Sequence, residues 1–229
     1  MKKIKLITII IKTYNYGKFI EKAIKSILNQ SLDKKLFEIL VVNDGSTDNT
    51  SKILEKYKDL GLVEVIKLRH VGYIEAANTG MKAVKTEYLT FLDADDTLEP
   101  DALKEMLGAI QQGDGKKEIG FVYTDYYEKN EKGKVTVMKM DNVFKTIAGG
   151  ILFRTDAVKE AGYYDKELIF PEYDLIIKIM KKYKKVRVDK PLYNYFRHSS
   201  SLTANKERVK KGREQLFAKY RDIPGLRNY

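Results

Sequence analysis

Asp93-Ala94-Asp95-Asp96 places three carboxylates within four residues, directly after the apolar run Leu89-Thr90-Phe91-Leu92. Successive side chains of a strand alternate faces, so Asp93 and Asp95 are expected to point one way while Leu92 and Ala94 point the other. Two hard oxygen donors on one face suit Mg2+ or Mn2+, which keep coordination positions for water and a substrate phosphate. The competing reading is an acidic turn that caps the next helix, where Asp is common.

Such a cluster is useful only if the fold brings other polar residues to it. Residues 6–11 form a β-branched run, and 18–29 carry apolar residues at helical spacing (Phe19, Ile20, Ala23, Ile24, Ile27, Leu28). Residues 37–42 are apolar again, a helix is expected over 48–57, a strand over 63–68, a helix over 74–84 and a strand over 88–92. This alternation predicts an α/β fold with a Rossmann-like, mostly parallel, doubly wound sheet. Ligands on such sheets sit at the strands' carboxyl ends. Three segments end there in polar residues: Thr13-Tyr14-Asn15, Asn43-Asp44-Gly45-Ser46 and the acidic cluster. Ser46 or Asp48 is expected to cap the helix that follows the second of these. Beyond Pro100 the rhythm loosens into a mixed sheet, with a helix over 101–111, strands over 119–123 and 186–195, a hairpin at 130–133 and a helix over 171–182. A basic helix over 205–220 closes the chain. The expected organisation is one domain over 1–229: a ligand-binding half at 1–100, a second half at 101–203 and the basic helix at 204–229.

Composition narrows the classes. The chain has 229 residues, 43% hydrophobic, with no cysteine and two histidines, which leaves no disulfide framework or thiolate metal site. Any metal is therefore expected to be held by oxygen. No run of eighteen apolar residues occurs and the first residues show no cleavage pattern, so a cytoplasmic location is expected. The net charge of +11 sits at one end: residues 178–229 hold sixteen Lys/Arg against four Asp/Glu, and the preceding 177 hold twenty-seven against twenty-eight. A basic helix of this kind can lie on the inner face of an anionic membrane. Its apolar stripe, Val209, Leu216, Phe217 and Tyr220, can equally pack on the chain's own core or on a twin subunit. Nucleic acid is not an expected partner, because the basic and aromatic residues there follow no recognition motif.

Five segments, taken in order, resemble the family 2 glycosyltransferases: Thr13-Tyr14-Asn15-Tyr16-Gly17-Lys18, Ser26-Ile27-Leu28-Asn29-Gln30-Ser31, Asn43-Asp44-Gly45-Ser46-Thr47-Asp48-Asn49-Thr50, Ala77-Asn78-Thr79-Gly80 and Leu92-Asp93-Ala94-Asp95-Asp96. The resemblance implies a GT-A fold, a nucleotide-diphosphate sugar donor with UDP first, a divalent metal (Mn2+ or Mg2+), and inversion at the anomeric carbon. It also implies an acceptor hydroxyl on a glycan or lipid-linked glycan. Thr13, Tyr14, Asn15 and Ala94 would line the nucleotide pocket, Asp44 would accept a hydrogen bond from the base, Asp93 would face the ribose or the metal's water shell, and Asp95 would bind the metal. Phe170-Pro171-Glu172-Tyr173-Asp174-Leu175 matches the stretch that supplies the catalytic base, which makes Glu172 the candidate and Asp174 the reserve. Pro and acids also suit any helix start. Gly149-Gly150 resembles the segment beneath the acceptor, and Tyr195-Phe196-Arg197-His198-Ser199-Ser200-Ser201 a late loop in which His198 would be a metal ligand or diphosphate donor.

The sequence departs from the family at five places: Pro171-Glu172 stands for the usual Glu-Asp pair, which puts Glu172 in the place of the catalytic Asp, Lys12 stands for the usual Pro, Asn43 for Asp, His70 for Asn and Ala77 for Arg. The last removes a guanidinium expected near the nucleotide, for which Lys12, Arg69 or His70 would compensate. The alternative function is a nucleotide-sugar-binding module of the same fold without turnover.

Overall fold

Four isoleucines of the seven-residue strand β1 (Ile7–Thr13), Ile7, Ile9, Ile10 and Ile11, are fully buried. A strand covered on both faces reads as a continuous β-branched run, as this one does. In a computed structural model, which describes residues 5–112, 118–145, 147–198, 205–223 and 225–226, β1 lies inside a nine-stranded sheet. It pairs in parallel with β2 (Phe37–Asn43) on one side and β4 (Tyr88–Phe91) on the other, and β3 (Glu64–Lys67) extends the sheet in parallel from β2. Helices α1 (Ile20–Leu28), α2 (Thr50–Asp59) and α3 (Tyr73–Ala83) make the connections. α1 buries Ile20, Ala23, Ile24 and Ile27, the spacing that defines one helix face.

The strand order 3-2-1-4 reverses direction at β1, so the chain diverges there into a crevice between the ends of β1 and β4. After the two-residue β5 (Thr97–Leu98) and α4 (Ala102–Gln111) come β6 (Ile119–Asn130), β7 (Val135–Met138), β8 (Ile151–Arg154), α5 (Thr155–Ala161), α6 (Pro171–Met180), β9 (Lys184–Arg197) and α7 (Lys206–Lys219). β8 lies antiparallel between β4 and β6, while β6 and β9 are parallel. The sheet is therefore mixed in its second half, as the looser rhythm suggested. β6 runs seven residues beyond the expected strand, and α5 was not expected at all; it ends at Gly162 in the left-handed region, φ 84°.

α7 packs on the chain itself. Gly212 faces the Phe170 ring, where a Cβ would fall 2.3 Å away, and Leu216 and Tyr220 are buried. Asp174, fully buried, accepts hydrogen bonds from Tyr220 Oη (2.5 Å) and Lys219 Nζ (2.8 Å) on one oxygen and pairs with Lys178 (2.7 Å) through the other. Among the described residues, no helix is long and apolar enough to cross a membrane.

Candidate active site

A cavity of about 360 Å3 opens at the crevice between β1 and β4. Its first wall comes from the strand ends: Lys12 and Thr13 at the end of β1 and Tyr14 after it, Asp44 after β2, His70 and Gly72 before α3, and Asp93, Ala94 and Asp95 after β4. Its second wall comes from distant sequence: Ile147, Ala148, Tyr164, Phe170, Glu172, Tyr195 and Arg208.

On the first wall the loops are tied before any ligand is considered. Asp44 Oδ1 accepts from Val71 N (2.7 Å) and Oδ2 from Gly72 N (2.9 Å), which fixes the β3–α3 turn against the tip of β2. Asn15, at φ 58°, accepts on Oδ1 from Thr47 N (2.8 Å) and donates its own N–H to Ser46 Oγ (2.9 Å). It does not line the cavity; its work is to bind one loop to another. Asp48 accepts from Thr50 N (2.9 Å) at the start of α2 and from Gly17 N (3.0 Å) in the loop after β1, so the capping role falls to Asp48. Asn43 accepts from Ser46 N (3.0 Å) and donates to Ser51 Oγ (3.0 Å), a turn-stabilising use of the amide. Thr13 Oγ1 is buried without a hydrogen-bond partner among the described residues, a cost a polar ligand would relieve.

The acidic cluster differs from the strand-alternation reading. β4 ends at Phe91, and Asp93 to Asp96 form a turn closed by Asp96 N to Asp93 O (3.1 Å). Each carboxylate then has its own partner: Asp93 forms an ion pair with Lys12, Asp95 Oδ2 meets His198 Nε2 at 2.8 Å, and Asp96 accepts from Tyr193 Oη (2.6 Å) and Phe196 N (2.7 Å). Asp93 and Asp95 face the cavity, whereas Asp96 is 2% exposed and structural. Burial and the neighbouring Asp93 charge push the Asp95 carboxyl up. No three acidic or histidine side chains among the described residues converge as a ready-made metal cage. Two mutually repelling carboxylates on one wall do fit a Mg2+ or Mn2+ ion that takes its remaining ligands from water and a diphosphate. His198 is not among the residues that line the cavity; it meets Asp95, which is.

On the second wall Glu172 lies at the first turn of α6, its Oε2 buried and without a hydrogen-bond partner among the described residues. Burial raises its carboxyl from 4.5 to about 7 against the opposing pull of its own backbone N–H, Lys12 and Arg208. Asp174, two residues on, is a poor base in this geometry: it is absent from the cavity wall and holds α7. Burial pushes it up, but bonds from Lys178, Lys219 and Tyr220 prevail and leave it below the ordinary carboxylate value. Gly149 and Gly150 also lie off the wall. They admit the Tyr193 ring, which a Cβ on Gly149 would meet at 2.6 Å, and the neighbouring Ile147 and Ala148 line the cavity instead. Ser199, Ser200 and Ser201 lie outside the described residues.

Residues 8–170 match the family model described as Glycosyl transferase family 2. The chain belongs to that family. Among relatives of this glycosyltransferase family member, it is 28% identical over 188 residues to the poly(ribitol-phosphate) beta-N-acetylglucosaminyltransferase TarP of Staphylococcus aureus (strain N315), covering 81% of this chain and 51% of TarP. It is 27% identical over 225 residues to the hyaluronan synthase of Pasteurella multocida, covering 91% of this chain and 22% of that protein. The chain thus spans about half of TarP and about a fifth of the hyaluronan synthase. Residues 1–349 of S. aureus TarS, solved with UDP-GlcNAc, superpose with a TM-score of 0.73 at 22% identity, covering 93% of this chain and 66% of that one. The mannosyltransferase PcManGT of Pyrobaculum calidifontis, solved with GDP-Man and Mn2+, gives a TM-score of 0.75 at 18% identity, covering 96% and 65%. The fold is GT-A.

The residues that sequence reading passed over are Tyr73, Tyr164, Phe170 and Arg208. Arg208 counted only as tail charge. Ala77 is buried and off the wall; of the three residues expected to compensate for the absent guanidinium, Lys12 and His70 line the cavity and Arg69 does not, and Arg208 lines it from α7.

Proposed function

We propose that this chain is an inverting, metal-dependent glycosyltransferase that moves a sugar from a nucleotide-diphosphate donor, UDP first, to a hydroxyl of a glycan or lipid-linked glycan. The observation that carries this reading is Glu172, whose Oε2 is buried without a hydrogen-bond partner among the described residues and which lines the same cavity as Asp93, Asp95 and Lys12. The donor half is assigned to 1–100, with Thr13, Tyr14 and Ala94 at the nucleotide, Asp44 accepting from the base and Asp93 facing the ribose or the metal's water shell. The acceptor half is assigned to 101–203.

In the reaction the acceptor oxygen attacks the anomeric carbon from the face opposite the diphosphate, so configuration inverts. Glu172 removes the hydroxyl proton as the bond forms, a task suited to a carboxyl near neutrality. The breaking bond leaves its electron pair on the diphosphate, whose growing charge Lys12 can stabilise electrostatically. Asp95 and Asp93 would hold a divalent ion, which supplies Lewis-acid neutralisation of that same charge.

The test is Glu172→Gln. Donor binding, measured calorimetrically with UDP, GDP and dTDP in Mn2+, should stay within about twofold, while transfer falls by about 10²–10⁴-fold, the usual worth of a general base. Normal turnover by the Gln variant would remove Glu172 from the reaction. Nucleotide binding by the wild type with no transfer to any glycan acceptor would favour the non-catalytic module.

A further inference from the structure

The nucleotide end of the cavity already contains an aromatic ring with a nitrogen edge. The His70 imidazole stacks on Tyr14, ring centroids 3.9 Å apart and planes 24° from parallel. Its Nδ1 is 3.4 Å from Asp44 Oδ2. A ring nitrogen toward Asp44 is the contact assigned above to the nucleobase, and Tyr14 is assigned to the same nucleotide pocket. An imidazole and a base cannot both take that place.

The backbone under His70 is fixed while the ring is not. Val71 N and Gly72 N both donate to Asp44, and Gly45 passes so close that a Cβ there would lie 2.9 Å from His70 N. His70 itself has φ 58°, a left-handed conformation that few residues other than glycine adopt. Its side chain is 57% exposed, so the ring can leave Tyr14 by side-chain rotation alone.

We infer that His70 is a gating residue of the donor site, whose imidazole occupies the place of the nucleobase at Tyr14 and Asp44 and lowers donor affinity until it is displaced. Every base meets the same cost of displacing the ring, so the imidazole weakens all donors by a common factor and leaves the ratios among them unchanged. This inference rests on the donor-site reading of Tyr14 and Asp44.

The experiment compares wild type with His70→Asn in calorimetric titrations of UDP, GDP and dTDP with Mn2+. Asn tolerates positive φ, so the turn survives the change. The variant should bind each nucleotide that the wild type binds roughly three- to tenfold more tightly, the worth of one aromatic stack, with the ratios among them unchanged. With two histidines in the chain, the imidazole signal missing from the variant's NMR spectrum identifies His70. In the wild type that signal should shift on nucleotide saturation. If the wild type binds a nucleotide and His70→Asn binds it equally or more weakly, the inference is overturned while the donor site stands. If neither protein binds any of the three, the donor-site reading falls and takes the inference with it.

Discussion

The two walls of the cavity are built differently. The first is made of strand ends and the turns between them, contributed by contiguous motifs and tied together by Asn15, Asp44 and Asp48. The second is assembled from residues far apart in sequence: Tyr164 precedes α6, Glu172 opens it, and Arg208 comes from the first turn of α7. A local motif can set the first wall alone, whereas the second requires two helices to be docked against each other. On the proposed reaction, the first wall should govern donor binding and the second the attack.

The strongest test of that division is Asp95→Ala. Removing one carboxylate of the facing pair should lower metal-dependent turnover by roughly a thousandfold, consistent with several kcal/mol of charge stabilisation from a metal. Metal titration by calorimetry should lose its nucleotide-linked binding in parallel. Undiminished turnover would remove the metal assignment and leave Lys12 as the cation of the first wall.

Next in size is Asp174→Ala, which attacks the docking of α7 rather than the chemistry. Removing one partner of a buried ion pair costs 3–5 kcal/mol; with Lys178 and Lys219 30% and 35% exposed, the loss should be about 3 kcal/mol in urea unfolding. The sign with pH follows from the depressed folded value. The stabilisation is present above the ordinary 3.8 and is lost as pH falls through the folded value, so the gap between variant and wild type should narrow in acid. A gap that does not change with pH would mean that packing at position 174, not charge, holds the helix.

How much of this was legible follows the same division. The isoleucine run of β1, the helical face of α1 and the polar strand ends are local signals, and they located the first wall. Even there the strand-alternation argument for Asp93 and Asp95 misjudged the local shape, because β4 stops two residues earlier and a turn follows. For the second wall, the family resemblance pointed to Glu172, but nothing local separates a cavity-facing acid from Asp174, two residues on. That difference is made by Lys219 and Tyr220, which reach Asp174 from 45 and 46 positions away in the chain. Arg208 was hidden for the same reason. Charge in a basic helix does not say which residue turns inward; the close approach of Gly212 to Phe170 decides it.

Glu172 and Arg208 together give the finest test. Transfer by the wild type should rise with pH through about 7, because only the ionised carboxylate accepts the proton. Stability should move the other way: a carboxyl raised from 4.5 to about 7 holds its proton more tightly in the folded state, so folding weakens across that window, by at most about 3 kcal/mol. Arg208 opposes the rise at Glu172. Arg208→Gln should therefore shift the pH profile of transfer upward and lower turnover near and below neutrality. Donor affinity should change by less than twofold if the second wall serves only the attack. A large loss of donor affinity with an unmoved pH profile would instead place Arg208 at the diphosphate, and the division between the walls would have to be redrawn there.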